Sequence, residues 1–143
     1  MKNQYELPCN IAQALNVIGD KWTLLIVHEI MLGDKSYNEL LNKLKGIASN
    51  LLSTRLKSLE EDGIIKGELY QAHPPRYKYT LTEKGRDLQD VFNSIILWGS
   101  RHLNKCYKKL VAKKSGHKVE IKYYLPETKE LLNREEVEAR EIC

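Results

Sequence analysis

The chain has 143 residues, a length that favours one domain, allows two small ones and excludes a large multidomain enzyme. With 42% hydrophobic and 29% charged residues, its composition is that of an ordinary globular protein. Lys and Arg outnumber Asp and Glu by 23 to 19, and the excess is uneven: residues 1–115 carry a net charge of +6 and residues 116–143 a net charge of −2. Three distant cysteines, no signal-peptide core and no apolar run of about 18 residues argue against a disulfide scaffold and a membrane span, so we expect a cytoplasmic protein.

Two helices are predicted in the first third of the chain. Asn10 is expected to cap the first, which carries Ile11, Leu15 and Ile18 at helical spacing. Residues 21–32 form the second, which is apolar on nearly all sides and ends at Gly33. Such a helix is expected to be buried at the centre of the domain.

Two more helices follow. Ser36 and Glu39 form the S-x-x-E capping box of a third helix, and Ser49 is predicted to cap a fourth helix that ends before Gly63. At about 100° per residue, the inner face of the fourth helix carries Leu52, Leu56 and Leu59. Its outward face carries Asn50, Ser53, Thr54 and Lys57. Asn, Ser and Thr have lower helix propensity than Glu, Lys or Gln, so their presence indicates a contact surface.

After residue 63 the apolar period changes to two, which predicts a β-hairpin. Its two strands carry Ile64, Ile65, Leu69 and Tyr70, and then Tyr77, Tyr79 and Leu81. Pro74 and Pro75 stiffen the connecting loop, and Arg76 stands immediately beside them. The prolines serve equally well to end a strand and protect a sheet edge.

Thr82 is predicted to cap a helix that reaches residue 114, about 30 residues and therefore about 45 Å long. That length exceeds what so small a domain can cover, so either Gly99 breaks the helix or its second half packs on another chain. Residues 117–125 fit a strand, and residues 131–142 fit either a helix or a second strand.

Short helices followed by a hairpin indicate a mainly α (α+β) fold, the winged helix-turn-helix with a β-hairpin wing and a long C-terminal dimerisation helix. In that fold the second helix of the motif lies in the major groove and the wing reaches an adjacent groove. The motif spans residues 36–45 and 49–62 here. The predicted DNA-contacting residues are Ser36, Ser49, Asn50, Ser53, Thr54, Arg55, Lys57 and Arg76. Lys43 adds a further candidate for phosphate.

A series of short segments, taken in order, resembles the HxlR-type regulators, a branch of the MarR-like winged-helix transcription factors. The matching segments are Pro8-Cys9, residues 14–15, IGDKWTLLI at 18–26, YNEL at 37–40, GIA at 46–48, residues 51–65, PPRYKYTLTEKG at 74–85, and Trp98-Gly99. The resemblance covers about residues 8–100 and ends before the tail.

The resemblance implies a homodimeric bacterial or archaeal regulator that binds a near-palindromic, double-stranded DNA operator through residues 8–100. Residues 8–18 and 82–114 are then expected to dimerise as well, and residues 115–143 form an extension of unknown role that contains a strand. The predicted interface residues are Ile11, Leu15, Phe92, Ile95, Ile96, Leu103, Tyr107 and Leu110.

Cys9 stands where members of this family commonly carry a cysteine, and several of them sense electrophiles or oxidants through it. A thiol at a helix N-terminus has its thiolate stabilised by the helix dipole, and Lys21 is a candidate to add to this. The alternative is an inert, buried cysteine. Cys106 and Cys143 are weaker candidates.

Two other classes of function stay open beside the DNA-binding regulator. One is a winged-helix protein-interaction module that does not bind DNA, and the other is a thiol-dependent enzyme. The sequence has no glycine-rich phosphate loop, no G-x-S-x-G and no paired histidines, so we expect no enzyme activity. His102 and Cys106 have metal-ligand spacing but lack further ligands, so we expect no metal and no cofactor.

Overall fold

A computed structural model describes residues 4–104 and 108–142, and the chain divides into two compact units, Met1–Gln89 and Asp90–Cys143. The first unit contains α1 (Asn10–Ile18), α2 (Thr23–Leu32), β1 (Lys35–Ser36), α3 (Tyr37–Lys43), α4 (Ser49–Glu61), β2 (Ile65–Gln71), β3 (Arg76–Leu81) and α5 (Glu83–Arg86). The second unit begins in the first turn of α6 (Gln89–His102) and continues through β4 (Tyr123–Leu125), β5 (Glu130–Leu132) and a 3-10 turn (Arg134–Glu136). The winged helix-turn-helix, with its mixed α+β content, is confirmed.

The first two helices begin differently from the sequence prediction. Asn10 is the first residue of α1, and Cys9 takes the N-cap position without a side-chain cap. The second helix begins at Thr23, two residues later than predicted, because the Oδ1 of Asp20 accepts hydrogen bonds from the backbone N–H groups of Trp22 and Thr23, both at 3.0 Å. These bonds satisfy N–H groups that the helix itself leaves unpaired.

The expectation that α2 is buried all round is wrong. Ile26, Val27 and Ile30 are buried, whereas Leu25 and Leu32 are 50% and 63% exposed. Only one side of α2 therefore belongs to the core within a single chain.

The helix-turn-helix in the structure agrees closely with the one that the sequence pattern predicts. The capping box is confirmed, since the Ser36 hydroxyl accepts from the N–H of Glu39 at 3.2 Å and the Glu39 carboxylate accepts from the N–H of Ser36 at 3.3 Å. The N-cap of α4 is Ala48, so the assignment of Ser49 as its cap is wrong by one position. The three leucines of the predicted inner face, Leu52, Leu56 and Leu59, are all buried.

The hairpin is confirmed, and it belongs to a three-stranded sheet in which β3 lies between β1 and β2. The register pairs Ile65 with Leu81 and Gly67 with Tyr79 across the hairpin, and Lys35 with Tyr79 on the other edge. The sequence did not indicate β1, which is two residues long. The core of the first unit is apolar, with Ile26, Val27, Ile30, Leu40, Leu44, Ile47, Leu52, Leu56, Leu59, Ile64, Ile65 and Leu81.

The prediction of a single long helix after Thr82 is wrong. The Thr82 hydroxyl caps α5 by accepting a hydrogen bond from the N–H of Gly85 at 3.1 Å. The same hydroxyl donates to the Ile64 carbonyl oxygen at 3.0 Å. A Cβ at Gly85 would collide with that same carbonyl. This turn is thus held against the start of the hairpin, α5 ends at Arg86, and α6 continues unbroken through Gly99 to His102.

The tail contains strands, in part as predicted. Val111 bridges to Lys118, and β4 pairs antiparallel with β5, Tyr124 opposite Leu131. A strand therefore occupies only the end of segment 117–125, and segment 131–142 begins in a strand. No helix within residues 4–104 and 108–142 has both the length and the apolar character needed to cross a bilayer.

Candidate nucleic-acid interface

The outward face of α4 consists of exposed side chains with hydrogen-bonding groups. Asn50, Ser53, Thr54 and Lys57 are all exposed, as their spacing predicts. The Ser53 hydroxyl donates to the Ser49 carbonyl at 3.1 Å, and the Thr54 hydroxyl donates to the Asn50 carbonyl at 2.9 Å. Each hydroxyl oxygen keeps lone pairs to accept a bond from outside, and these internal bonds fix its orientation.

Tyr37 joins the two helices of the motif. Its hydroxyl donates to the Ser49 carbonyl at 2.7 Å, which links the first residue of α3 to the first residue of α4. Ser49 itself is exposed. Ser36 is half-buried, and its hydroxyl already accepts from Glu39 in the capping box. No sequence pattern singles out Tyr37, because a bond between residues 37 and 49 depends on the turn between the helices.

Arg55 differs from the other predicted contacts on α4. Its Nε lies 3.3 Å from the Oδ1 of Asp20, and the two side chains are only 19% and 16% exposed. This guanidinium is therefore paired at the start of α2, unlike the exposed side chains of the outward face. Its contact with DNA was predicted from its charge alone. At about 100° per residue Arg55 lies about 60° from Leu52, so its place beside the inner face was available from the sequence.

The electrostatics of Asp20 follow from the same contacts. Burial alone would raise the pKa of this carboxyl, but hydrogen bonds from the Thr23 hydroxyl and from the N–H groups of Trp22 and Thr23, with the charge of Arg55, together lower it. Asp20 is consequently ionised at neutral pH.

The wing presents Arg76 at the beginning of β3. Arg76 is exposed, and it pairs in register with Gln71 across the loop. The Gln71 side-chain amide donates to the carbonyls of His73 and Pro74, both at 3.3 Å, so the loop is tied by hydrogen bonds as well as stiffened by its prolines. A cleft of about 400 Å³, lined in part by Tyr37 and Arg76, separates the start of α3 from the wing.

Cys9 is exposed at the N-terminus of α1. The backbone N–H groups of Ala12 and Ile11 lower the pKa of Cys9 below its ordinary value, although neither makes a capping hydrogen bond to the thiol. Lys21, the expected basic neighbour, places its Nζ 5.4 Å from the ring centroid of Trp22 instead. Cys9 is thus accessible and favours its thiolate through backbone groups. Cys106 and Cys143 lie outside the described residues.

Each unit leaves apolar side chains exposed at predicted interface positions. In the first unit these are Ile11, at 70% exposure, and Leu15. In the second they are Ile95 and Leu103, and Ile96 is half-buried. Along one side of α6 a cleft of about 580 Å³ is lined by Asp90, Val91, Ser94, Ile95 and Trp98.

Two other interface positions differ from the prediction, and a third is not described. Phe92 is buried within a single chain, so it is not available to a partner. Leu110 lies beyond the end of α6 and is half-buried, so it does not continue a helical stripe. Tyr107 lies outside the described residues. Val91 and Trp98 are exposed on α6, and the apolar period of the sequence already contained both.

Comparisons with known proteins find similarity to helix-turn-helix transcriptional regulators. The model of the HxlR-like helix-turn-helix family matches residues 17–107. The HTH-type transcriptional regulator YdeP of Bacillus subtilis (strain 168) is 32% identical over 111 residues, which are 78% of this chain and 87% of YdeP.

Solved structures agree. The crystal structure of PA1607, described as a transcription factor, is 29% identical, covers 94% of this chain and 96% of its own, and has a TM-score of 0.78. The redox regulator HypR in its oxidised form is 33% identical, covers 68% of this chain and 100% of its own, and has a TM-score of 0.62. The likeness to PA1607, which covers 94% of this chain, thus extends into the tail.

Proposed function

This chain belongs to the HxlR-like helix-turn-helix family of transcriptional regulators, and on that premise we propose that it acts as a homodimer that binds a double-stranded DNA operator. The observation that carries the proposal is the outward face of α4, where Asn50, Ser53, Thr54 and Lys57 are exposed together on the second helix of the motif. Side chains at these positions of a helix-turn-helix contact base edges in the major groove.

The proposed contacts fall into two classes. Asn50, Ser53 and Thr54 offer amide and hydroxyl groups to base edges or phosphates, whereas Lys57 offers a charge to phosphate. Arg76 on the wing is proposed to enter an adjacent minor groove, where its guanidinium meets a concentrated negative potential. Ser49, a small polar residue at the start of α4, is proposed to let the DNA backbone approach and to bond a base edge or a phosphate. Ser36 stays in the proposal only through its place at the start of α3, since its hydroxyl serves the capping box.

A two-fold dimer is proposed because a symmetric operator has half-sites about 34 to 36 Å apart, which one recognition helix cannot read. Ile11 and Leu15 on α1, and Ile95 and Trp98 on α6, are the exposed apolar side chains that a second copy is proposed to cover. Large exposed apolar patches are rare on the surface of a monomer, so each helix on its own favours a partner.

Binding to random duplex DNA, measured while the salt concentration is varied, tests the proposal. Lys57 and Arg76 of both subunits are proposed to neutralise phosphates, which releases counterions. We therefore expect the logarithm of the binding constant to fall steeply with the logarithm of the salt concentration. Selection from a random duplex library would then yield a near-palindromic site. A flat salt dependence would contradict the proposal and support the rival function, a winged-helix module that contacts proteins only.

We further propose that Cys9 makes the regulator responsive to electrophiles or oxidants. The support is its exposure, the lowered pKa of its thiol, and the likeness to HypR, which is named a redox regulator. Modification at the start of α1 would alter the dimer rather than the DNA-contacting face, and a coupling of about 5- to 150-fold in affinity is typical of such regulation.

Alkylation with N-ethylmaleimide separates this role from an inert thiol. The Cys9 sulfur adds to the maleimide double bond, and the neighbouring carbon takes up the proton. We expect the treated wild type to change its operator affinity and Cys9→Ser, which keeps Cys106 and Cys143, to be unaffected. The same response in both proteins would eliminate Cys9 as the sensor.

A further inference from the structure

Arg55 and Asp20 join two parts of the first unit that are far apart in sequence. Asp20 follows α1 directly and caps α2 through the N–H groups of Trp22 and Thr23. Arg55 lies in the middle of α4, and its Nε is 3.3 Å from the same Oδ1 that caps α2. One carboxylate oxygen therefore contacts both the start of α2 and the recognition helix.

The surroundings screen this contact less than an ordinary surface ion pair, although the Arg55 Nε makes no hydrogen bond to the carboxylate. Both side chains are less than one-fifth exposed, so water screens the pair weakly. Asp20 is held in place by its bonds to the backbone and to the Thr23 hydroxyl. Arg55 therefore meets a fixed partner, and little side-chain freedom is lost from Asp20 when the pair forms.

Leu52, Leu56 and Leu59 pack α4 on the core, and the Tyr37 hydroxyl holds its first residue. The pair between Arg55 and Asp20 adds an electrostatic contact near the middle of α4, where a rotation of the helix would separate the two charges. The rotation of α4 decides whether Asn50, Ser53 and Thr54 meet base edges.

We propose that Arg55 is a positioning residue, which fixes the recognition helix against Asp20 and does not bind DNA phosphate. The proposal rests on the DNA-binding function proposed above and identifies which α4 cation serves that function indirectly. It also makes Asp20 a determinant of DNA specificity, although this carboxylate carries the wrong charge to bind DNA.

The sign of one substitution separates this role from a phosphate contact. Asp20→Asn keeps the side-chain oxygen that caps α2, since Asn and Asp are comparable caps, but it removes the negative charge. If Arg55 bound phosphate, loss of a competing anion beside it would tighten DNA binding and steepen the salt dependence. If Arg55 positions α4, the same change loosens the helix and weakens binding to the preferred site.

The experiment compares Asp20→Asn, Arg55→Gln and the double variant with Lys57→Gln, a matched loss of charge on the exposed face of α4. The probes are the duplex selected by the wild type from a random library and an unselected random duplex. Each is titrated over a range of salt concentrations, at a temperature where melting curves show that every variant is folded.

We expect Asp20→Asn and Arg55→Gln each to weaken binding to the selected duplex by about fivefold or more, which is typical for a disturbed coupling. Binding to the random duplex should change far less, so the specificity ratio falls. The double variant should be no weaker than the weaker single variant, because both remove the same contact. Lys57→Gln should weaken both duplexes alike and lower the salt slope by about two, which is about one for each subunit of the dimer.

Tighter binding by Asp20→Asn would overturn the proposal, as would a lower salt slope in Arg55→Gln with an unchanged specificity ratio. If Asp20→Asn does not fold, the specificity ratio of Arg55→Gln decides alone. A wild type that shows no salt-dependent DNA binding would overturn both this proposal and the proposed function, whereas the first two results leave the proposed function standing.

Discussion

The two units of the chain differ in how much of their apolar surface they bury. In the first unit Leu52, Leu56 and Leu59 of α4 and the isoleucines of α2 are buried and form a core, although Ile11 and Leu15 on α1 stay exposed. In the second unit, among the residues that the structure describes, Phe92 is buried, whereas Ile95, Trp98, Tyr124 and Leu131 are exposed. The comparison indicates that the first unit is stabilised by its own packing, while the second presents surface that a single chain leaves uncovered.

The largest effect is expected from a pair of leucine truncations, one in each unit. Leu52→Ala removes a side chain with no exposed surface and should lower the free energy of unfolding by about 2 to 5 kcal/mol. Leu131→Ala, at a position that is 69% exposed, should change it by less than about 0.5 kcal/mol. Urea unfolding followed by circular dichroism measures both. Equal losses would show that the tail is as tightly packed as the core.

A charge on α6 tests whether a second copy covers its exposed face. Ile95→Asp should dissociate the proposed dimer, because burying an unpaired carboxylate at an interface is costly, and central interface residues contribute about 2 kcal/mol or more. Leu131→Asp, equally apolar and exposed but outside the proposed interface, serves as the control. Light scattering at micromolar concentration reports the mass. A wild type that is already monomeric, or an Ile95→Asp variant that stays dimeric, would contradict the proposed interface.

Gly85 tests how firmly the end of the wing holds the turn before α6. A methyl group there meets the Ile64 carbonyl, and the backbone must shift to admit it. Gly85→Ala should therefore lower the free energy of unfolding by about 1 to 3 kcal/mol, as overpacking does. Gly116→Ala provides a control without contacts, although its positive φ adds some strain. Thermal melts of both variants give the comparison, and a Gly85→Ala variant as stable as the wild type would refute the close approach.

The smallest expected effect is the loss of stability at low pH that Asp20 contributes. The folded-state pKa of Asp20 is lowered, so its contribution to stability is present above the unfolded pKa, about 3.9, and is lost as the pH falls through the folded value. The wild type should be more stable than Asp20→Asn at pH 7, and the difference should shrink below about pH 4. Glu39, whose pKa is lowered by the N–H and hydroxyl of Ser36, keeps some acid sensitivity in both proteins. Urea midpoints measured at several pH values would show a constant difference if Asp20 contributed nothing.

The elements that sequence predicted well depend on local signals. The capping box at Ser36, the leucine spacing of α4 and the alternation of the hairpin each determine structure within a few residues, and each is confirmed. The predictions that failed depend on contacts between distant segments. The break after Arg86 follows from the close approach of Gly85 to Ile64, and no spacing within residues 82–114 reveals it.

The candidate surface shows the same division. Exposure of Asn50, Ser53, Thr54 and Lys57 follows from the period of α4, which sequence provides. The direction of Arg55 depends on the position of Asp20, 35 residues away along the chain, and the hydrogen bond from Tyr37 depends on the turn between α3 and α4. The helical period therefore predicts which side chains share a face of α4. Tertiary contacts decide which of the polar side chains are exposed and which are paired within the protein.

The central claim is that the outward face of α4 and the tip of the wing contact DNA. Operator titrations of Thr54→Ala and Arg76→Ala, with Lys66→Ala on β2 as a control for lost charge, test it most directly. We expect Thr54→Ala to cost about 1 to 3 kcal/mol on the selected duplex and to relax preference at one position, Arg76→Ala to weaken binding, and Lys66→Ala to have little effect. If folded Thr54→Ala and Arg76→Ala both bind like the wild type, the proposed surface is wrong.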